Sequence, residues 1–151
     1  MEQTQRGLSC ELLLPRKRFN QADHITFYVL LTNVGTQAVV LDGRMVAGVH
    51  FALELTAPKG EGVTWPTDRN VDLVRPRRED FVTIPPGFAY GRVVMLQANE
   101  EVSTEHSLGE YRAVARFGAW EQGTNLSLHA WTGGLRSNEV QFEIVKAPRR
   151  D

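Results

Sequence analysis

Cysteine, net charge and long apolar runs are all scarce in this chain, and each shortage excludes a class of protein. Cys10 is the single cysteine among 151 residues, so no disulfide can form within the chain. The formal net charge of -1 gives no overall field to attract nucleic acid or an anionic membrane. No apolar run approaches the roughly 18 residues that a membrane-spanning helix needs, so we expect no membrane insertion.

Sequence patterns of catalysis and of metal binding are missing as well. There is no glycine-rich phosphate loop and no serine in a nucleophile elbow. Cys10 lies in an apolar stretch, which is typical of a buried and unreactive thiol. The four histidines, His24, His50, His106 and His129, include no closely spaced pair of the kind that zinc sites use. We therefore expect no enzyme activity, no cofactor and no metal, and we predict that the histidines are exposed at strand ends.

The length and the N-terminal segment indicate one soluble domain. A chain of 151 residues with 42% hydrophobic and 23% charged residues is long enough to form a single core, so we predict one domain over residues 1–151 with an ordered part of about 7–146. Residues 1–11 lack the apolar core of a secretory signal peptide. Together with the single cysteine, this favours the cytoplasm, although a leader removed earlier leaves the localisation open.

Short segments that alternate apolar and polar residues recur along the chain, as they do in half-buried strands. The strongest early segment is His24–Thr32, in which Phe27 shares one face with three aliphatic residues. Gly109–Phe117 and Asn138–Val145 alternate in the same way and predict the antiparallel pair that closes a sheet. Phe27 and Phe142 are therefore predicted core residues, whereas Glu143 is predicted to face water.

Glycine and proline turns separate these segments, and none of the segments has the apolar stripe of a helix. About seven to nine short strands predict an all-β protein, with an antiparallel β-sandwich favoured and a closed barrel as the alternative. The Asn33–Thr36 turn predicts a hairpin that joins His24–Thr32 to Ala38–Leu41. Residues 65–80 are predicted to form a long irregular connection, and the acidic residues 98–108 to contain a short helical turn.

Four segments of the sequence resemble segments of bacterial immunoglobulin-like domains. They are Ile25–Gly35, Ile84–Gly87, Leu108–Ala113 and Leu135–Phe142. In this respect the chain is similar to the fold family that includes the bacterial intracellular proteinase inhibitors and many accessory domains. The resemblance implies an immunoglobulin-like antiparallel β-sandwich of about seven to nine strands. An inhibitor of this kind would carry an exposed, rigid loop, for which Thr64–Arg78 is the candidate.

Three tryptophans are the most informative candidates for binding. Trp120 and Trp131 flank the loop between the last two strands, and Trp65 opens the mid-chain connection. Indoles in loops form hot spots for proteins and stacking platforms for sugars. We predict that Trp131 is a structural plug, since it leads into Gly133-Gly134. Trp120, beside Glu121, is predicted to be displayed.

Two basic clusters complete the set of candidates. Arg16–Arg18 and the group Arg75, Arg77 and Arg78 could hold a phosphate or an acidic partner if they met on one face, although solvated turns are the default interpretation. We expect a non-catalytic accessory module that binds a protein partner through end loops with Trp120, Trp65 and the second cluster. The alternatives are a proteinase inhibitor and a carbohydrate-binding module that uses the loop tryptophans. Edge strands also allow a homodimer.

Overall fold

The computed structural model describes residues 4–67, 73–98, 102 and 108–148, and these residues are almost entirely strands, turns and loops. Short 3-10 turns occur at Arg78–Asp80 and Thr124–Leu126. The predicted acidic segment 98–108 lies largely outside the described residues, as does His106. The strands, in chain order, are β1 (Thr4–Gln5), β2 (Leu8–Leu13), β3 (Arg18–Asn20), β4 (His24–Asn33), β5 (Val39–Asp42), β6 (Phe51–Thr56), β7 (Gly62–Trp65), β8 (Phe81–Ile84), β9 (Ala89–Gln97), β10 (Gly109–Ala119) and β11 (Gly133–Val145).

The strands form two larger sheets and one small sheet. The four-stranded sheet has the order β1-β2-β4-β9, the five-stranded sheet has the order β3-β11-β10-β6-β7, and β5 pairs with β8. The pairs are antiparallel except for β3 and β11, which run parallel. The all-β prediction is therefore confirmed. Within the described part of the chain the strands form separate sheets and do not close into one ring, so the architecture is sandwich-like.

The core lies between the two larger sheets and follows the alternation in the sequence. Along β4 every second side chain is buried, beginning at Ile25. Phe142 of the five-stranded sheet meets Phe27 of the four-stranded sheet edge to face, at 5.9 Å between ring centroids, and it stacks on Tyr111 at 5.5 Å. Both predicted core phenylalanines are buried, and Glu143 is half-exposed beside Arg18, at 3.3 Å. The predicted inward and outward faces of β4 and β11 are confirmed.

The closing pair is longer than the sequence pattern predicts. β10 and β11 pair from Gly109 opposite Ile144 to Ala119 opposite Gly133, so β11 begins five residues before the predicted Asn138. A β-bulge interrupts the register, and there the Ser137 hydroxyl accepts a hydrogen bond from the backbone N–H of Ala115 at 2.8 Å. The antiparallel pairing itself is confirmed, and its extra length carries the strands to the candidate site described below.

The predicted hairpin between β4 and β5 is wrong. β4 pairs with β2 and β9, whereas β5 pairs with β8. The buried side chain of Asn33 explains the difference, because its amide donates to the carbonyl oxygens of Gln37 at 2.7 Å and Ile84 at 2.8 Å. Its Oδ1 accepts from the N–H of Gly35 at 3.0 Å. Asn33 therefore forms a corner that sends the chain to a different sheet.

The described residues alone contain eleven strands, more than the seven to nine that the sequence predicts. Part of the excess consists of very short pairings, such as the two residues of β1 and the three of β3. β7 was not predicted as a strand, although it pairs with β6 over four residues. The irregular connection that was predicted from residue 65 thus begins at the end of β7, and residues 68–72 of it lie outside the described part of the chain.

Candidate functional site

Trp120 is the most prominent exposed aromatic residue at the end of the closing pair. It follows Ala119, the last residue of β10, and 65% of its surface is accessible to solvent. A Cβ atom built on Gly118 would lie only 2.2 Å from the indole ring, so the ring rests directly over the Gly118 backbone. Only glycine leaves room for this contact. Trp120 is therefore exposed to solvent, as predicted.

Beside the indole, glycines replace side chains on the outer face of the sheet. Gly118 is paired with Gly134 on this face. A Cβ on Gly134 would meet only the carbonyl oxygen of Phe117 at 3.8 Å, so this part of the surface is open backbone. The strand ends therefore form a flat floor beside a single large ring.

Two clefts of similar size adjoin Trp120. The first has a volume of about 540 Å³ and is lined by His50, Ala52, Glu54, Arg116, Gly118 and Arg136, among others. The second has a volume of about 580 Å³ and is lined by the polar side chains of Glu121, Gln122, Thr124 and Thr132. Trp120 and Gly133 border both clefts. The indole consequently stands between two clefts, with hydrogen-bonding groups on either side.

Charges of both signs border the first cleft. The Arg116 guanidinium forms a salt bridge with Glu54 on the neighbouring strand β6. Both side chains are partly exposed, at 58% and 38%, so they remain accessible to a ligand. Arg136 lies directly opposite Arg116 in the register of β10 and β11. The cleft can therefore donate hydrogen bonds to a polar partner and accept hydrogen bonds from it, while the indole contacts the apolar part of that partner.

His50 forms part of the inner wall, and its burial corrects the prediction of exposed histidines. Only 5% of His50 is exposed, because it precedes β6 beneath the Trp120 ring, at 6.2 Å between ring centroids. Its Nδ1 accepts a hydrogen bond from the N–H of Val46 at 3.0 Å, and its Nε2 lies 3.3 Å from the Asp42 carboxylate. His24 and His129, by contrast, are exposed. Pattern alone could not distinguish these three histidines.

Asp42 connects His50 to Arg44, which is partly buried. The Arg44 Nε donates to Oδ1 of Asp42 at 2.9 Å and the Nη2 donates to Oδ2 at 2.6 Å, so the carboxylate is held at two points. The side chain of Asp42 is 1% exposed and that of Arg44 is 13% exposed. Arg44 also donates to the carbonyl oxygen of Val74 at 2.7 Å. We call Asp42, Arg44 and His50 the buried ionic triad.

The electrostatics of the triad follow from burial and pairing. Burial alone would raise the pKa of Asp42, but the hydrogen bonds and the charge of Arg44 outweigh it and lower that pKa. Hydrogen bonding to Asp42 raises the pKa of Arg44. Burial lowers the pKa of His50, with the Arg44 charge acting in the same direction and Asp42 opposing it. His50 is thus neutral near pH 7, while Asp42 and Arg44 remain charged.

Both ring nitrogens of His50 are already engaged, with Val46 and with Asp42. A histidine in this state offers neither a free base nor a free proton donor to a molecule in the cleft. Among the described residues no group of three or more His, Cys, Asp or Glu side chains could hold a metal ion. The arrangement is suited to holding the wall of the cleft in place rather than to acid–base chemistry.

The structure separates the other predicted site residues from Trp120. Trp131 is 7% exposed and stacks on Phe117 at 6.2 Å, which confirms its predicted structural role. Trp65 is half-buried against Phe51, at 6.1 Å. The described residues that line the two clefts include neither Trp65 nor the predicted basic cluster.

Several arginines of the basic clusters are paired with nearby acceptors, and the described structure brings no shared anion site together from them. Arg75 is exposed, Arg77 lies 3.4 Å from Glu79, and Arg78 donates to the carbonyl oxygen of Leu126. In the first cluster, Arg16 pairs with Asp23 at 2.9 Å. Arg78 is therefore tied to the loop that follows Trp120, whereas Arg75 and Arg77 are exposed.

Sequence reasoning missed the buried ionic triad. A weak indication was present, since Asp42 and Arg44 are two residues apart directly after the apolar residues of β5. His50 immediately precedes the alternating residues of β6, where an outward-facing polar residue is expected. Neither position indicates burial, because the side chains that cover them come from distant parts of the chain.

Comparisons with known proteins identify no family for this chain. No protein-family model and no curated protein matches it. Among solved structures it is similar to a β-glucosidase, EmGH1, from Erythrobacter marinus, with 14% identity and a TM-score of 0.44. That match covers 89% of this chain but only 15% of the glucosidase. It is also similar to AvmM, described as catalysing macrocyclization in alchivemycin A biosynthesis, with 12% identity, a TM-score of 0.46, and coverage of 97% and 93%.

Among the described residues, no helix is long and apolar enough to cross a membrane.

Proposed function

We propose that this chain is a non-catalytic, immunoglobulin-like binding module that recognises a protein partner through Trp120 and the two clefts beside it. The immunoglobulin-like topology is supported by the sheet orders β2-β4-β9 and β11-β10-β6. They correspond to the A-B-E and G-F-C orders of that fold, with the strands in the same chain order. The observation that carries the proposed function is the exposed indole between two clefts that contain hydrogen-bonding groups, at one end of the sandwich.

The arrangement has the properties of a protein-binding hot spot. Tryptophan contributes a large apolar area and few rotatable bonds, so binding removes much surface from water at low entropic cost. The ring is held in advance by the Gly118 backbone beneath it and by the buried His50 beside it. Glu54, Arg116 and Gln122 supply a polar rim around the indole. Such a rim lets a polar partner keep its hydrogen bonds while the centre becomes dry.

A single displayed indole supports a protein partner over a sugar. The carbohydrate alternative relied on Trp120 and Trp131 as a joint stacking platform. Trp131 lies in the core against Phe117, which leaves Trp120 as the one exposed tryptophan of this loop. An extended sugar chain gains most from several coplanar rings, whereas one ring within a polar rim is the common form of a protein hot spot.

The test uses two exposed aromatic residues of similar accessibility. The partner is first captured from the source cells and purified, and its affinity is then measured by calorimetry for Trp120→Ala and Phe88→Ala. Phe88 is 63% exposed and does not line either cleft, so it is the matched control. We expect Trp120→Ala to weaken binding by at least about 2 kcal/mol, the threshold of a hot spot.

Phe88→Ala should leave the affinity unchanged. Equal affinities of the wild type and Trp120→Ala, or loss of binding with Phe88→Ala alone, would contradict the proposal. Binding to a glycan array that disappears in Trp120→Ala would replace the protein partner with a sugar.

Proteinase inhibition is a second candidate, favoured by the way residues 73–80 are fixed. Arg44 holds the carbonyl oxygen of Val74, Pro76 is buried, and Arg78 is bonded to Leu126. Between these anchors Val74 is 81% exposed and Arg75 is exposed. Titration of trypsin-like and subtilisin-like proteinases with the wild type and Arg75→Ala would test this function. Inhibition is expected to be stoichiometric and lost in the variant, and full proteinase activity at excess protein would reject it.

A further inference from the structure

The turn at residues 46–50 forms part of the wall of the first cleft, and His50 holds this turn in two ways. The backbone N–H of His50 donates to the carbonyl oxygen of Val46 at 2.8 Å. In return, the N–H of Val46 donates to Nδ1 of the His50 ring at 3.0 Å. Gly48, Val49 and His50 all line the cleft. The shape of this wall therefore depends on a side-chain hydrogen bond of His50 as well as on the backbone.

The bond from Val46 requires a neutral His50. A backbone N–H can only donate, so Nδ1 must accept and carries no proton. The proton of the neutral ring is then on Nε2, which lies 3.3 Å from the Asp42 carboxylate. In an imidazolium both nitrogens carry protons, so the N–H of Val46 would face a second donor at 3.0 Å. The turn cannot keep its present form when His50 is charged.

The surrounding charges also favour the neutral ring. Within the described part of the chain, the charges that act on His50 are those of Asp42 and Arg44. Arg44 already holds both oxygens of Asp42, so a charged His50 would add a cation without a counter-charge of its own. Burial, with the Arg44 charge, lowers the pKa of His50 below its ordinary 6.5. Other titratable or charged groups on the adjoining elements are Glu54, Tyr90, Arg92, Arg116 and Arg136, together with Asp80 and Glu121, which act on Arg44.

Two contacts connect His50 to Trp120. The centroids of the two rings are 6.2 Å apart. The carbonyl oxygen of His50 also accepts a hydrogen bond from the N–H of Gly118 at 2.7 Å, and Gly118 is the residue on which the indole rests. A rearrangement of residues 46–50 therefore changes both the support of the indole and the wall of the cleft beside it.

We propose that His50 is a proton switch for the Trp120 site, in which the neutral ring keeps the first cleft in its binding form and protonation of Nδ1 opens the turn at residues 46–50. The step adds one proton to Nδ1 and breaks the hydrogen bond from Val46. This regulation rests on the function proposed above. Because the partner binds the form with neutral His50, its dissociation constant should rise by up to about tenfold for each pH unit below the pKa of His50 in the folded protein.

The free protein tests the switch without any partner. NMR spectroscopy follows the His50 ring, the Trp120 indole and the solvent exchange of the Val46 amide as the pH is lowered from neutral. We expect the His50 and Trp120 signals to change with one midpoint below pH 6.5, and the Val46 amide to lose its protection as His50 takes up its proton. The Gly87 amide, which is bonded to the carbonyl oxygen of Asn33 at 2.8 Å, is the control and should stay protected.

Trp131 distinguishes a local switch from unfolding. Its indole is 7% exposed and stacks on Phe117 in the core, so its signal should stay constant while that of Trp120 changes. A joint change of both indoles would show global unfolding and would overturn the switch.

A matched pair of histidine variants tests the effect on binding. In His50→Asn the Oδ1 can accept from the N–H of Val46, and the amide takes up no proton. We expect this variant to lose the pH response of Trp120 and the part of the pH dependence of partner affinity that distinguishes it from the wild type. His24→Gln replaces an exposed histidine at the start of β4 and should behave like the wild type.

The outcomes separate the switch from the binding function. A Val46 amide that stays protected when His50 is charged, or a Trp120 signal that does not follow His50, would overturn the switch. Both are measured on the free wild type, so they decide the matter even if His50→Asn does not fold or Trp120→Ala leaves partner affinity unchanged. An equal pH dependence of affinity in the wild type and His50→Asn would also reject the switch, whereas loss of affinity in Trp120→Ala at neutral pH would still support the binding function.

Discussion

Replacing Asp42 with asparagine should destabilise the protein strongly, although the side chain keeps its size. The carboxylate is 1% exposed and is bonded by Arg44 at both oxygens, with His50 at 3.3 Å. Asparagine removes the negative charge and leaves the Arg44 guanidinium in a site where it is 13% exposed. The expected loss arises from this unpaired cation more than from the lost attraction.

The magnitude follows from the geometry. Removing one partner of a buried ion pair typically costs about 3–5 kcal/mol. Arg44 keeps its hydrogen bond to Val74 and some access to water, so we expect about 2–4 kcal/mol for Asp42→Asn. Glu79→Gln is the control, because Glu79 is 65% exposed in its pair with Arg77. It should cost no more than about 0.5 kcal/mol.

Urea denaturation at neutral pH measures both values, and a double-mutant cycle tests their origin. Arg44→Gln removes the other charge, so the double variant Asp42→Asn/Arg44→Gln should cost less than the sum of the single variants by at least about 1 kcal/mol. A cost for Asp42→Asn as small as that of Glu79→Gln would refute the reasoning. So would strict additivity in the cycle.

The same triad gives the stability a defined pH dependence. The pKa of His50 is lowered below its ordinary value of 6.5, so the unfolded chain takes up a proton first as the pH falls. The contribution of neutral His50 to the free energy of unfolding is therefore fully present above pH 6.5. It is lost as the pH falls towards the pKa that His50 has in the folded protein. The pKa of Asp42 is lowered below 3.8, so a second loss begins near that pH and continues through the folded pKa. His50→Gln should remove the first decline, and Asp42→Asn the second.

Three further predictions concern the core and the loops. Trp131→Ala should cost roughly 3–5 kcal/mol in urea unfolding, and Trp120→Ala no more than about 0.5 kcal/mol. Iodide should quench the fluorescence of Trp120 but not that of Trp131. The reverse pattern would contradict the assignment of Trp120 as exposed and Trp131 as buried. Phe142→Ala should cost roughly 3–5 kcal/mol and Glu143→Ala less than about 1 kcal/mol, so a larger loss for Glu143→Ala would overturn the register of β11. Asn33→Ala should cost about 2–3 kcal/mol, since it leaves the buried carbonyl oxygen of Ile84 without its donor and also removes the hydrogen bond to Gln37, and a loss below about 0.5 kcal/mol would show that water replaces the amide.

The sequence by itself determined most of the longer strands and the direction of their side chains. A period of two residues places alternate side chains on opposite sides of any extended chain, whatever the neighbours are. For this reason the inward positions of Phe27 and Phe142 and the closing pair β10–β11 could be predicted. Local composition also separated Trp120 from Trp131, since a polar loop tip and a glycine turn into a strand impose different surroundings.

Only the tertiary structure decided which strands pair and which polar groups are buried. The alternating pattern of β4 is the same whether β4 pairs with β5 or with β9. Which of the two strands pairs with β4 depends on the hydrogen bond from Asn33 to the carbonyl oxygen of Ile84, 51 residues later in the chain. His50 looks like any strand-end histidine until Asp42 and the ring of Trp120 are placed around it. A side chain's periodicity reports its direction, whereas its burial and charge depend on long-range neighbours that local sequence does not specify.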